Sequence, residues 1–205
     1  MRTLILWLAV AAPCIAQDGR VRAGQEPPWP PASGTVKFIG DPGPFRILAN
    51  QSPLERLCDW SDLVIDGLVT ATFPSRSPSR GTLQTDFLIS VTQVLKGSAA
   101  LRQIMVSQMG GSIGDFHLVT DQYALMKTGE QYILFLQHDD RPSTPQRPGI
   151  PLYYVTRSSA GLGRVVDGKI QLGTTAPGEL STYDGVTAES LRSEIATAVS
   201  RPVQH

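Results

Sequence analysis

The chain has 205 residues, 41% of them hydrophobic, with 18 basic and 18 acidic side chains. A length of this order makes one domain that buries about 70% of its unfolded surface, so no disulfide scaffold is required. Balanced charge gives no global attraction to nucleic acid or anionic lipid, and the apolar run at residues 4–12 is far short of the roughly 20 residues that span a bilayer.

That run follows Arg2 and leads into small residues ending at Ala16, the pattern of a secretory signal at residues 1–16 cleaved after Ala16. The expected mature chain begins at Gln17 and is soluble, in a periplasm or outside the cell. Loss of Arg2 leaves 17 basic against 18 acidic residues, a formal charge of −1. Cys14 departs with the signal, which leaves Cys58 as the one thiol. Its place one helical turn after Leu54 and beside Leu57 makes it an inert core thiol, with an intermolecular disulfide or a nucleophile as the alternatives.

Residues 17–51 form a Pro- and Gly-rich leader in which Trp29 stands among four prolines. Within it, residues 35–40 and 45–48 flank Asp41-Pro42-Gly43-Pro44, a type II turn signal that predicts a small hairpin. The domain proper spans residues 52–199, with a frayed tail at 200–205. Ser52-Pro53-Leu54-Glu55 opens a helix: a capping hydroxyl, a proline at the first helical position and the reciprocal glutamate. From Asp62 the period becomes two, with Leu63, Ile65, Gly67, Val69, Ala71 and Phe73 on one face of a long strand. A second long strand turns Thr85, Phe87, Ile89 and Val91 inward, and Gln84, Asp86, Ser90 and Thr92 outward. Long strands with an internal Gly67 suit a coiled, barrel-like sheet. Further strands are predicted at 104–109, 116–120, 131–137 and 152–156, then a hairpin about Asp167-Gly168. Thr187 caps a last helix striped by Leu191, Ile195 and Val199.

The segment from Asp62 to about Leu172 resembles a netrin-like module, the OB-type barrel of tissue inhibitors of metalloproteinases and of netrin and complement C-terminal domains. It is also similar to small secreted bacterial proteins of unknown role. The matching residues are Asp62-Leu63-Val64 leading to Gly67-Leu68-Val69, the strand from Phe87 ending in Val94-Leu95-Lys96-Gly97, and Gly129-Glu130-Gln131-Tyr132-Ile133-Leu134-Phe135. The resemblance implies a mainly β fold: an OB-like, netrin-like antiparallel barrel with a short N-terminal helix and a C-terminal helix. Those inhibitors chelate the protease zinc through an N-terminal cysteine. Here Gln17 stands at the expected N-terminus, so inhibition would have to act through a loop instead.

Gly110-Gly111-Ser112-Ile113-Gly114 matches the nucleophile-elbow pattern, yet residues 115–120 read as loop and strand where an elbow requires a helix. Its partners would have to be Asp121 with His138, or His205. No catalytic residue is therefore assigned, and a small serine hydrolase using Ser112 is a minor alternative. His117, His138 and His205 lie too far apart for a zinc pair, and His138-Asp139-Asp140 reads as a solvated strand end. Lys127-Thr128-Gly129 lacks the context of a phosphate loop, so no metal or cofactor is expected.

Two loops remain, at residues 74–81 and 139–151. By order they are the loops with which an OB barrel takes its ligands. Arg76 and Arg80 in the first, with Arg141 and Arg147 in the second, would form a cationic rim if the barrel brings the loops together. The reading is a non-enzymatic secreted binding module for an extracytoplasmic protein or an anionic glycan. An extracellular protease inhibitor of netrin-like fold is the alternative, and neither nucleic acid nor a membrane span is expected.

Overall fold

The computed structural model describes residues 34–38, 51–76, 83–120, 124–139, 149–173 and 179–201. The signal with its cleavage after Ala16, the leader around Trp29, the second arm of the expected leader hairpin at 45–48 and the tail from 202 lie outside the described residues. No helix among the described residues is long and apolar enough to cross a membrane.

Helix α1 (Pro53–Trp60) begins as its local sequence dictates. The Glu55 N–H donates to Ser52 Oγ at 3.2 Å and the Ser52 N–H donates to Glu55 Oε2 at 2.7 Å. That second bond holds the Glu55 carboxyl below the ordinary carboxylate range. Leu54, Leu57 and Cys58 form the buried face.

The mainly β body follows as β2 (Leu63–Arg76), β3 (Leu83–Lys96), β4 (Gln103–Met109), β5 (Gly111–Ile113), β6 (Phe116–Thr120), β7 (Gln131–His138), β8 (Leu152–Val155), β9 (Leu162–Val166) and β10 (Lys169–Gln171). The first strand, β1 (Gly34–Phe38), pairs in parallel with β6, so its described partner is a distant strand. Five strands close a barrel in the order β7-β2-β3-β4-β8, because β8 pairs with both β4 and β7. Four seams are antiparallel. The fifth, β4 to β8, is parallel, which modifies the expected all-antiparallel barrel; this closed five-strand arrangement is compatible with an OB-like barrel.

Inside the barrel lie Leu63, Ile65, Phe87, Ile89, Ile104 and Leu134 with their neighbours. Gly67 is needed at close quarters, since a Cβ there would stand 2.5 Å from Ile89 Cγ2. The expected single inward face of β2 breaks at Thr70. Val69 pairs with Ile89, but Ala71 pairs with Leu88, so one extra residue on β2 turns Ala71 and Phe73 to the outside. Register is fixed by the partner strand, and a one-residue bulge reverses every side chain beyond it.

On the outer face of β2 and β7, Val64, Ile133 and Phe135 meet α1 and helix α2 (Ala188–Ser200). Thr187 caps α2 by accepting from the Ser190 N–H at 3.2 Å, while Leu191 and Ile195 are fully buried. Val199 departs from the expected stripe: it is 36% exposed, because the last turn runs past the barrel. Asp66, buried on the same side, receives Arg192 Nε at 2.9 Å and Gln131 Nε2 at 2.6 Å. Asp167 and Gly168 take φ of +49° and +74°, the two-residue turn expected between β9 and β10.

Burial pushes the Cys58 thiol up to about 12, with Lys96 acting weakly in the opposite direction. In the unfolded chain the thiol titrates near 8.5, so its contribution is complete below that pH and declines as pH rises toward the folded value. Stability should therefore fall between pH 8.5 and 10.5 by up to about 1.4 kcal/mol per unit. Cys58→Ala should flatten that limb of the denaturation profile, and the native thiol should resist maleimide until denaturant is added. Rapid labelling in buffer would place the thiol at the surface.

Candidate functional site

The strands of the barrel carry two adjacent rungs of outward side chains on the face away from the helices. Across β2, β3, β4 and β8, Ala71 pairs with Leu88, Leu88 with Met105, and Met105 with Leu152. The next rung sets Phe73 against Asp86, Asp86 against Ser107, and Ser107 against Tyr154. One rung is apolar and the other mixed.

Both are more buried than a solvent-facing side of a strand should be. Met105 and Asp86 are 0% exposed, Leu88 6% and Leu152 4%, whereas Tyr154 at the end of the mixed rung is 41% exposed. Asp86 Oδ1 accepts from Gln84 Nε2 at 3.2 Å. Two residues expected to be solvated, Gln84 and Asp86, are thus buried, and Leu88, the next residue of the same outward row, was the missed signal. An apolar residue interrupting a polar row is legible in β3 alone; that Met105 and Leu152 continue it requires the register of two further strands.

The expected binding residues are placed around this face only in part. Arg76 ends β2, paired with Leu83, and its side chain is not described; Arg80, Arg141 and Arg147 lie outside the described residues. The roots of their loops are described. Phe73, three residues before Arg76, and Ile150, three residues after Arg147, pack against the same Leu88–Met105–Leu152 cluster. Taking the five barrel strands in chain order, the 77–82 segment joins the first and second, β2 and β3, and the 140–148 segment joins the fourth and fifth, β7 and β8.

Ser112 stands in a hairpin, not in the loop expected for the glycine-rich segment. β5 and β6 are joined through Gly114-Asp115, and Ser112 pairs directly with His117. Ser112 Oγ and His117 Nδ1 are 2.6 Å apart, both side chains exposed. The strand-to-helix context of an elbow is absent at this hairpin, and the histidine beside Ser112 is His117, not the expected His138 or His205. Sequence reasoning missed this pair because a two-residue turn makes neighbours of positions five apart.

His138 lies at the end of β7, edge-on to Tyr153 with ring centroids 5.3 Å apart, and its N–H donates to Asp62 Oδ2 at 2.8 Å. Burial and the nearby Asp62 carboxylate raise the Tyr153 hydroxyl above its ordinary value. Among the described residues no three His, Cys, Asp or Glu side chains converge as metal ligands. No protein-family model matches the chain, and no curated protein matches its sequence.

Proposed function

We propose that this protein is an exported, non-enzymatic binding module of netrin-like type, which takes an extracytoplasmic protein or an anionic glycan between its 77–82 and 140–148 loops. The observation that carries the reading is the shared Leu88–Met105–Leu152 cluster, against which Phe73 and Ile150 both pack. It brings the roots of the two loops to one face. Arg76 at the end of β2 with Arg80 beyond it, and Arg141 with Arg147 on the other connection, would then supply guanidinium groups to a common rim. Paired guanidinium donors suit carboxylates, sulfates and phosphates. Nothing in the balanced total charge would do so. The use of such loops in OB barrels is fold-level analogy and supports the reading in that sense only. The mature chain should be retained on immobilised heparin or on an immobilised acidic polypeptide at physiological salt and should elute as salt screens the contact. Free passage through both matrices would remove the anionic-ligand reading.

A second reading, a small hydrolase, has one observation in its favour, the Ser112–His117 hydrogen bond. A serine beside a base is the first requirement of acyl transfer, but a third group that orients the base is part of the same device. Ser112→Ala should leave any ester turnover unchanged and shift stability by no more than about 0.5 kcal/mol. Loss of a measured turnover would establish the enzyme reading.

A further inference from the structure

Strand β1 lies between two stretches of sequence that break strands: residues 17–33 hold four prolines, and Gly40-Asp41-Pro42-Gly43-Pro44 follows it. The segment Gly34-Thr35-Val36-Lys37-Phe38 is thus a short β unit on its own. It pairs in parallel with β6 over its whole length, from Gly34 with Phe116 to Phe38 with Thr120, and among the described strands with β6 alone. No hairpin ties the two together, since a tight turn cannot join parallel strands.

The strand that β1 joins lies at the surface. Phe116 and Leu118 are buried with Leu83, whereas His117 and Val119 are exposed, Val119 at 50%. On its other side β6 pairs with β5 from Phe116 to Leu118, so Val119 and Thr120 have β1 as their described strand partner. An extended segment that docks on a sheet edge through backbone bonds has the geometry of β-strand addition. Nothing in a backbone ladder requires the added strand to come from the same chain.

We propose that the β1-facing edge of β6 is a strand-acceptor site, filled in cis by residues 34–38 of the same chain and in trans by the same segment of a second copy, which yields a strand-exchanged dimer. The pairing itself specifies the occupant, because a second copy presents the same segment in the same register. Exchange of an identical element between copies is a low-cost route to a dimer, since each bond lost within one chain is regained between two. Twelve residues separate Phe38 from Gln51 in the sequence, a length that reaches at most about 40 Å. Tethering gives the cis strand an effective concentration on the order of millimolar, so exchange belongs to concentrated refolding or to a chain whose own β1 is disabled.

Successive N–H groups of a strand point to opposite sides, so Thr35→Pro with Val36→Pro removes one β1 donor to β6 whichever residue supplies it. In the chain from Gln17 onward, that variant should exchange the Val119 and Thr120 amides, one of which faces β1, about tenfold faster. A synthetic peptide of residues 32–40 should restore the protection, and the same peptide with the two prolines should not. For the second copy, Lys37→Cys and Val119→Cys are placed in separate chains, because register partners on neighbouring strands stand about 5 Å apart, within disulfide range. Unfolded together, refolded at about millimolar concentration and oxidised, the two should form a mixed disulfide dimer, read by intact mass. Lys37→Cys with Val199→Cys, exposed at the end of α2, should not. If the proline variant fails to fold, the crosslink alone decides. Unchanged exchange in a folded proline variant, no recovery on adding the peptide, or a Val119 link no more abundant than the Val199 link overturns the proposal. No readout involves retention by heparin, so this proposal and the binding reading fail separately.

Discussion

Phe87→Ala should cost about 3–5 kcal/mol of folding stability, the largest loss expected of a single core truncation in this chain. The ring is fully buried inside the barrel, opposite Val106 on β4 and Thr72 on β2. A closed barrel cannot collapse around the void without shifting the register of its strands, so the cavity term adds to the lost transfer energy. For a domain of this size the thermal midpoint should fall by roughly 10 °C. Val199→Ala, at the exposed end of α2, should change stability by less than about 0.5 kcal/mol. Equal losses from the two would mean that the described interior is not the cooperative core.

The second large effect is expected at the ion pair that fastens α2 to the barrel. Asp66 is buried on β2, and Arg192 reaches it through Nε and Nη2 from one helix turn past the Thr187 cap. Arg192→Met keeps the aliphatic stem but leaves the carboxylate with Gln131 Nε2 as its remaining described side-chain partner. Removing one member of a buried pair leaves an uncompensated charge, which should cost about 3 kcal/mol in urea denaturation. Adding Asp66→Leu should recover most of that loss, because an apolar pair of similar volume carries no desolvation penalty. A double variant no more stable than Arg192→Met would show that the geometry, rather than the charge, holds the helix.

The features legible in the sequence are those set by neighbouring residues. The Ser52–Glu55 capping box, the Thr187 cap and the Asp167-Gly168 turn need only four or five positions each, and all three form as expected. Alternation located β2 and β3, whose inward rows line the barrel, and the further segments expected at β4, β6, β7 and β8 are strands as well, β6 in the separate sheet with β1 and β5. Features that depend on a partner strand were not legible. The extra residue at Thr70 is visible only in the pairing of Val69 with Ile89 and Ala71 with Leu88. The parallel seam of β4 with β8 and the parallel pairing of β1 with β6 join segments separated by many tens of residues. The candidate face was hidden for the same reason. Leu88, Met105 and Leu152 are single apolar residues in three strands until the register sets them side by side.

On the proposed reading, the two arginine-bearing loops act together as one anion-binding rim. Retention on immobilised heparin compares the chain from Gln17 onward with a variant in which Arg76, Arg80, Arg141 and Arg147 are all changed to Glu. Loop charges contribute about 0–1 kcal/mol each to stability, so the two proteins should unfold within a few degrees of one another. The unsubstituted chain should be retained, and the folded variant should pass through at the same salt concentration. Retention of the variant at an unchanged elution salt would contradict it and place the binding face away from these loops.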